Sequence, residues 1–407
     1  MTAPVPTFGP AAGQGSPIRG FAPRPLPLHL SMACSMAWHD ASAASPGSTP
    51  TGNGNAETVQ SDADAILRAL DRIMRMLAGV DAYRRHPWRR EPVRKPVIWS
   101  EGASHLLDCA PDTDGQPVLF LPSLVNRSWI LDLLPSRSLM QWLARRGFRP
   151  LLLDWGVPGK AEREFGIGDY VMRRLLPALS ATARDRPIDL AGYCMGGHFA
   201  LAAATLAPER CRRIALIATP WDFSAATGMG AVLRQVAVGI GADRLRQMLR
   251  LATFGAGGLP VDFLQSIFAL LDPGLALAKF SRFAELPPDS EDARLFVAAE
   301  DWLNDGVPLA PKVAEELLVD WCLANATGEG RWKPSGRAVT PPRIPHPALV
   351  IGAEGDRIAP AESVRPLALG LQQAEWRQIR CGHIGMMAGS KAQALLWEPL
   401  ADWLRRT

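Results

Sequence analysis

The chain has 407 residues, is 47% hydrophobic and 21% charged, and carries a net charge of +4, from 44 Lys and Arg against 40 Asp and Glu. This suits an enzyme with one large core; it excludes the strongly basic balance of a nucleic-acid-binding protein and does not oppose an anionic substrate. The six cysteines, at 34, 109, 194, 211, 322 and 381, show neither zinc nor CxxC spacing, so a reducing compartment is expected, with no metal and no disulfide framework.

No run of 18 or more apolar residues occurs, so no transmembrane helix is expected. The first residues lack the charged start and unbroken apolar core of a secretory signal, because Pro27, His29 and Cys34 interrupt Leu26 to Ala37. The expected location is therefore cytoplasmic. Residues 1–60 are rich in Pro, Gly, Ser, Thr and Ala without a sustained period, which predicts a disordered tail. In Asp62 to Val80, Ile66, Leu67, Leu70, Ile73, Met74 and Leu77 recur at helical spacing. That predicts an amphipathic helix, which either packs on its own domain or faces a partner. The run Arg84 to Lys95, with Trp88 interleaved, reads either as a solvated linker or as a segment for an anionic interface.

Residues 96–407 then alternate strand and helix. Val97 to Leu107 reads as an edge hairpin. Strands are expected at Pro117–Leu121, Pro150–Asp154, Pro187–Ala191 and Arg213–Ala218, with helices at Arg137–Arg146, Asp169–Ala183 and His198–Leu206. This alternation predicts a doubly wound, mostly parallel sheet. Residues 221–345 interrupt it with helical pieces such as Gly230–Phe254 and Leu259–Leu271, which read as a cap. Trp302, Trp321 and Trp332 there either pack or line a substrate channel. Strands at Pro347–Gly352 and Glu375–Arg380 and a final helix at Ala394–Arg406, bent at Pro399, complete the expected fold.

Gly192-Tyr193-Cys194-Met195-Gly196-Gly197 stands between an expected buried strand and an Ala/Leu-rich helix. Strand, glycine-flanked turn and helix form the context of a nucleophile elbow. The central residue is Cys, so a thiolate nucleophile and a thioester intermediate are expected; a free Cys can also be a plain core residue. Asp356 and His383 each follow an expected strand. The order nucleophile, acid, His is that of α/β-hydrolases, and the loops at these strand ends build the site of an open parallel sheet. His383 can take and return a proton, and Asp356 can fix its tautomer. The expected oxyanion hole uses the backbone N–H of Met195 and one from the loop around Val125 and Asn126. His198 reads as an elbow-helix residue.

Several blocks together resemble the polyhydroxyalkanoate synthases, most nearly the short catalytic subunits of the two-component class III type. They are Asn126 through Leu133, Asp154-Trp155-Gly156-Val157-Pro158, the Gly192–Gly197 box, Thr219-Pro220-Trp221-Asp222-Phe223, and Gly382-His383-Ile384-Gly385 followed by Gly389 to Gln393. The resemblance runs from about residue 95 to the end. It departs from the family pattern at His198, which stands where Thr is common, and at Trp221, which replaces a smaller residue.

The resemblance implies an α/β-hydrolase fold with a helical cap. It also implies an acyltransferase that polymerises 3-hydroxyacyl-CoA, such as 3-hydroxybutyryl-CoA, into polyester with release of CoA. Cys194 would carry the chain, His383 would activate it, and Asp356 would assist His383 or the incoming hydroxyl. The CoA thioester is then substrate, and no bound cofactor is implied. Partners would be a second copy or a second synthase subunit, and the polymer granule surface. The same triad with water as acceptor would give a thioesterase or depolymerase, and a chain that kept the fold without activity would be a granule scaffold.

Overall fold

The computed structural model describes Arg19 and residues 22–43, 56–91, 93–183, 186–255 and 257–406. They form two compact units, one of Glu91–Val261 with Asp305–Thr407, the other of Gly15–Arg90 with Asp262–Asn304.

The first unit is organised by an eight-stranded sheet. Its strands are β1 (Val97–Glu101), β2 (Ser104–Asp108), β3 (Gln116–Leu121), β6 (Phe148–Asp154), β7 (Ile188–Tyr193), β8 (Cys211–Ile217), β9 (Ala348–Ala353) and β10 (Ala374–Ile379). Their order is β1-β2-β6-β3-β7-β8-β9-β10. The β1/β2 hairpin joins β6 antiparallel at one edge, and every other pairing is parallel. Every residue of β7 and β9 is buried, as expected of central parallel strands covered on both faces. Because β3, β7, β8, β9 and β10 run the same way, the loops after Leu121, Tyr193, Ile217, Ala353 and Ile379 leave one edge of the sheet. The sequence-derived fold class is thus the observed one.

Local differences have local causes. The helix expected from Arg137 starts at Leu139. Arg137–Ser138 (β5) instead pairs with Asp132–Leu134 (β4), and the Ser138 hydroxyl caps the helix by accepting the Gln141 N–H at 2.9 Å. The single helix expected over Gly230–Phe254 is two, Gly228–Ala237 and Gly241–Thr253. Gly241, at φ +73°, turns the chain between them.

The second unit is helical. It contains α1 (Leu26–Ala43), α2 (Ala56–Arg85) and the helices Leu275–Phe283 and Glu291–Asn304. Two expectations are corrected here. The tail 1–60 is not disordered throughout, because Leu26–Ala43 is a helix and α2 begins at Ala56. Pro27 does not break α1, since it occupies the first turn, where its missing N–H costs nothing. The remainder of the tail expectation lies outside the described residues. Nor is 221–345 one cap, because Asp262–Asn304 belongs with the N-terminal helices.

The reason is visible in the helical core. Ala33, Ala37, Ala65, Ala69, Met76, Val80 and Tyr83 bury against Leu277, Phe280, Phe283 and Val297. A Cβ on Gly79 would lie 1.9 Å from the Phe280 carbonyl oxygen, so this crossing requires glycine. The Arg19 guanidinium reaches Asp301 at 2.7 Å and the His86 and Trp88 carbonyls at 2.8 and 2.9 Å, while the Tyr83 hydroxyl donates to Asp301 at 2.9 Å. The basic run after α2 is only partly solvated. Arg84 donates to the Ala22 carbonyl, and Lys95 pairs with buried Asp132. No single helix among the described residues is long and apolar enough to cross a membrane.

Candidate active site

Cys194 follows β7 with φ +54°, a left-handed conformation rare for a residue with a side chain. Its N–H donates to the Ile217 carbonyl at 2.8 Å, and its carbonyl accepts from Gly197 at 3.0 Å before the elbow helix Gly196–Leu206 begins. The flanking glycines are sterically required. A Cβ would lie 1.8 Å from the Leu121 carbonyl oxygen at Gly196 and 2.4 Å from the Gly197 Cα at Gly192. The thiol is thereby presented off a sharp strand-to-helix turn.

Asp356 and His383, 162 and 189 residues further along the chain by number, meet at the same sheet edge. His383 Nδ1 lies 2.6 Å from Asp356 Oδ2. The other carboxylate oxygen accepts the N–H groups of Ile358 at 2.9 Å and Ala359 at 2.8 Å, which fixes it. The negative charge of Cys194 also acts on the imidazole, with the thiol beside the ring. Burial alone would push the ring's pKa down. The Asp356 charge and hydrogen bond and the Cys194 charge outweigh burial and raise it to about 10. The structure therefore joins His383 to Asp356 by a hydrogen bond and sets the Cys194 thiol beside the imidazole.

Of the oxyanion candidates, Met195 occupies the start of the elbow helix, where N–H groups have no intrahelical partner. Val125 and Asn126 do lie in the loop after β3. The Val125 N–H, however, donates to the Ser123 hydroxyl at 3.2 Å, and Asn126 bridges antiparallel to Gly306. Val125 would have to leave Ser123 to serve an oxyanion.

Supporting residues surround these three side chains. The Tyr193 hydroxyl donates to the His383 carbonyl at 3.0 Å, and its ring packs 5.0 Å from the imidazole. Burial, then the charges of Cys194, Asp356 and Cys381, push the phenol well above its usual range, so it stays protonated and able to donate. The Trp155 indole donates to the Pro122 carbonyl at 2.9 Å and packs 4.6 Å from Phe199 on the elbow helix. In the Thr219–Phe223 block, the Asp222 carboxylate and the Phe223 N–H both bond Asn325, and Thr327 donates to the Trp221 carbonyl. That block ties the segment after the π-helical turn Glu316–Leu323 to the sheet edge.

His198 is buried in a box of rings. Trp321 stacks on it at 4.3 Å and Trp221 at 5.8 Å, and Trp332 meets it edge-on at 5.9 Å. Burial drives its pKa down to about 3, against a smaller pull from the Met195 and Pro220 carbonyls, so the ring is neutral at ordinary pH. Neither ring nitrogen makes a well-formed hydrogen bond. Trp321 and Trp332 are thus packed as box walls, and the two family departures, His198 and Trp221, touch each other. Cys322, beside Trp321, is also buried, and both burial and the Cys194 charge push its thiol up. Trp302 belongs to the helical unit.

Sequence reasoning missed Tyr193, Trp155 and the box around His198. The Gly-x-Cys-x-Gly pattern contains Tyr193, but only the fold shows where its hydroxyl goes. Among the described residues no group of His, Cys, Asp and Glu could hold a metal ion.

Comparison with known proteins agrees with this architecture. The family model described as alpha/beta hydrolase fold matches residues 116–390. The chain is 31% identical to a poly(3-hydroxyalkanoate) polymerase subunit PhaC of Haloferax mediterranei, over 75% of this chain and 63% of that one. It is 30% identical to the same-named subunit of Haloarcula marismortui, over 72% and 62%. It is 26% identical to that of Allochromatium vinosum, over 72% and 82%. The chain therefore spans less than two thirds of the length of the first two relatives.

Proposed function

The chain belongs to the α/β-hydrolase fold family, and from that premise we propose that it is an acyltransferase that polymerises 3-hydroxyacyl-CoA into polyhydroxyalkanoate through a thioester on Cys194. The observation that carries this reading is the hydrogen-bonded pair Asp356–His383 beside a thiol on an elbow turn. The names of the relatives supply the substrate class.

In the first step the Cys194 sulfur attacks the thioester carbonyl of 3-hydroxyacyl-CoA. The carbonyl oxygen becomes an oxyanion facing the Met195 N–H. The carbon–sulfur bond to CoA then breaks, and CoA leaves as the thiol with the proton held by His383. Acylation leaves the Cys194 sulfur uncharged, so it no longer helps to hold the His383 pKa up. The imidazole is then free to act as a base. It takes the proton of a 3-hydroxyl group, whose oxygen attacks the Cys194 thioester. An ester forms, the Cys194 carbon–sulfur bond breaks, and the thiolate returns beside the imidazolium. The lengthened chain still carries CoA, so Cys194 can attack it again and release that CoA. Asp356 holds the tautomer and stabilises the imidazolium at each turn.

A hydroxyl must outcompete water for this cycle to polymerise. His383 and Asp356 are 9% and 3% exposed, so bulk water has little access to either side chain. Association with a polymer granule and with a second copy or a second subunit is part of the same proposal. The test is incubation of the purified chain with 3-hydroxybutyryl-CoA. Insoluble polyester with stoichiometric free CoA supports the proposal. Free CoA with soluble 3-hydroxybutyrate points to a hydrolase, and no CoA release points to an inactive scaffold; either outcome overturns it.

A further inference from the structure

Two carboxylates from distant parts of the chain meet where the helical stretch 167–182 begins. That stretch is Ile167–Tyr170, a π-helical turn at Val171–Leu175 and Leu176–Thr182. Asp169 reaches back to its start, where Oδ2 accepts the Gly166 N–H at 2.9 Å. Glu316, from the π-helical turn Glu316–Leu323, takes the next N–H: its Oε2 accepts from Ile167 at 2.7 Å. A Cβ on Gly166 would lie 2.3 Å from Glu316 Oε1, so the carboxylate rests directly on this backbone. Acceptors of consecutive N–H groups are close neighbours, and both side chains are half-buried.

The cations of the elements packed around Glu316 are spent on other groups. Arg246 pairs with Asp320 at 2.8 Å, and Arg250 with Glu315 at 2.9 Å. Lys312 donates to the Glu164 carbonyl at 3.0 Å, and Arg174 to Glu162 at 3.2 Å. Arg163 lies against Gly257, and Arg234 donates to the Phe223 and Ala225 carbonyls. Two carboxylates in one site resist ionising together, so one keeps its proton to higher pH. Burial first, then the charges of Asp320 and Asp169, outweigh the Ile167 hydrogen bond and Lys312 and raise Glu316 to about 7.

The turn that begins at Glu316 also carries Trp321, whose ring stacks on His198 of the elbow helix at 4.3 Å. Just beyond its far end, Asn325 bonds Asp222 and Phe223. We propose that Asp169 and Glu316 share one proton, that this pair latches the turn Glu316–Leu323 onto the helix start at Ile167, and that loss of the proton loosens the turn. With the proton in place, one carboxyl donates to the other while both backbone bonds stay. Without it, two anions face each other across adjacent N–H groups. This inference does not rest on the acyl-transfer reading.

Hydrogen exchange on the full chain tests it, with rates corrected for the intrinsic pH dependence of exchange. Peptides covering 316–325 of the wild type are expected to lose about tenfold in protection between about pH 5.5 and about pH 8.5. E316Q keeps an acceptor for the Ile167 N–H and has no proton to lose, so its protection is expected to stay level. D169N keeps an acceptor for the Gly166 N–H, and it is expected to reduce the wild-type loss. Melting temperature gives a second reading. Folding raises Glu316 from 4.5 to about 7, so the wild type should lose stability relative to E316Q as pH rises from about 4.5 to about 7, and lose no more above it. Wild-type protection that does not fall with pH overturns the proposal. So does an E316Q or D169N variant that repeats the wild-type loss in full, or a melting-temperature gap that stays constant over that window.

Discussion

Two buried carboxylates, Asp301 in the helical unit and Asp356 in the sheet unit, look alike by burial and bond length. Each is nearly inaccessible, and each makes a bond of 2.6–2.7 Å to a nitrogen base. Their surroundings differ. Asp301 faces the Arg19 guanidinium and the Tyr83 hydroxyl, and Arg19 spends its other N–H groups on backbone carbonyls. That network closes on itself and ties two chain segments together. Asp356 faces an imidazole that can change its charge, and the far side of that ring leads to a thiol on a turn. What marks a functional carboxylate is the open end of its network: the group beyond its partner is reactive and titratable.

Four substitutions and titrations break or sharpen this contrast. Of these four, Asp356→Asn has the largest expected effect on turnover. The amide keeps the shape and the backbone bonds but loses the charge that holds the His383 tautomer and raises its pKa, so turnover should fall by about 10⁴-fold. The His383 pKa, followed by NMR, should fall as well. Asp301→Ala should act on stability instead. It leaves the Arg19 guanidinium buried without its partner, at a cost of about 3–5 kcal/mol in stability, measured by denaturant unfolding. Turnover per folded molecule should stay near wild type.

Tyr193→Phe should have a smaller effect, about 1 kcal/mol, because the His383 carbonyl loses one neutral donor. A drop in kcat with KM unchanged would show that the phenol positions the imidazole. The last test reads the pH dependence of stability rather than turnover. The folded His383 pKa, at about 10, lies above the 6.5 of an unperturbed imidazole. Its contribution is therefore fully present below about pH 6.5 and lost as pH rises through about 10. The stability difference between wild type and His383→Gln should shrink over that window. A difference that grew with pH would mean that His383 is not held between two anions.

The same contrast explains what could be read from the sequence. β7 and β9 are unbroken buried runs with a glycine-bracketed Cys or a Gly/Asp loop at their ends, so strand, elbow and acid were legible together. The helical unit carries no such pattern. Its α1 buries alanines, Ala33 and Ala37, rather than large side chains, and a Pro in its first turn resembles a break. The helix at Leu275–Phe283 shows an apolar face, but periodicity does not say that α2 covers it. The box around His198 was illegible for another reason. Trp221, Trp321 and Trp332 are far apart in sequence, and only the fold stacks them on one ring.

The central claim is that Cys194 carries a growing chain, and intact-mass spectrometry of the full chain after brief exposure to a few equivalents of 3-hydroxybutyryl-CoA tests it most directly. The account predicts a ladder of protein-bound additions spaced by one 3-hydroxybutyrate residue, located on the Cys194 peptide and absent from Cys194→Ala, whose turnover should fall by about 10⁶-fold. CoA release with no adduct on Cys194, or with an identical ladder in Cys194→Ala, would contradict it.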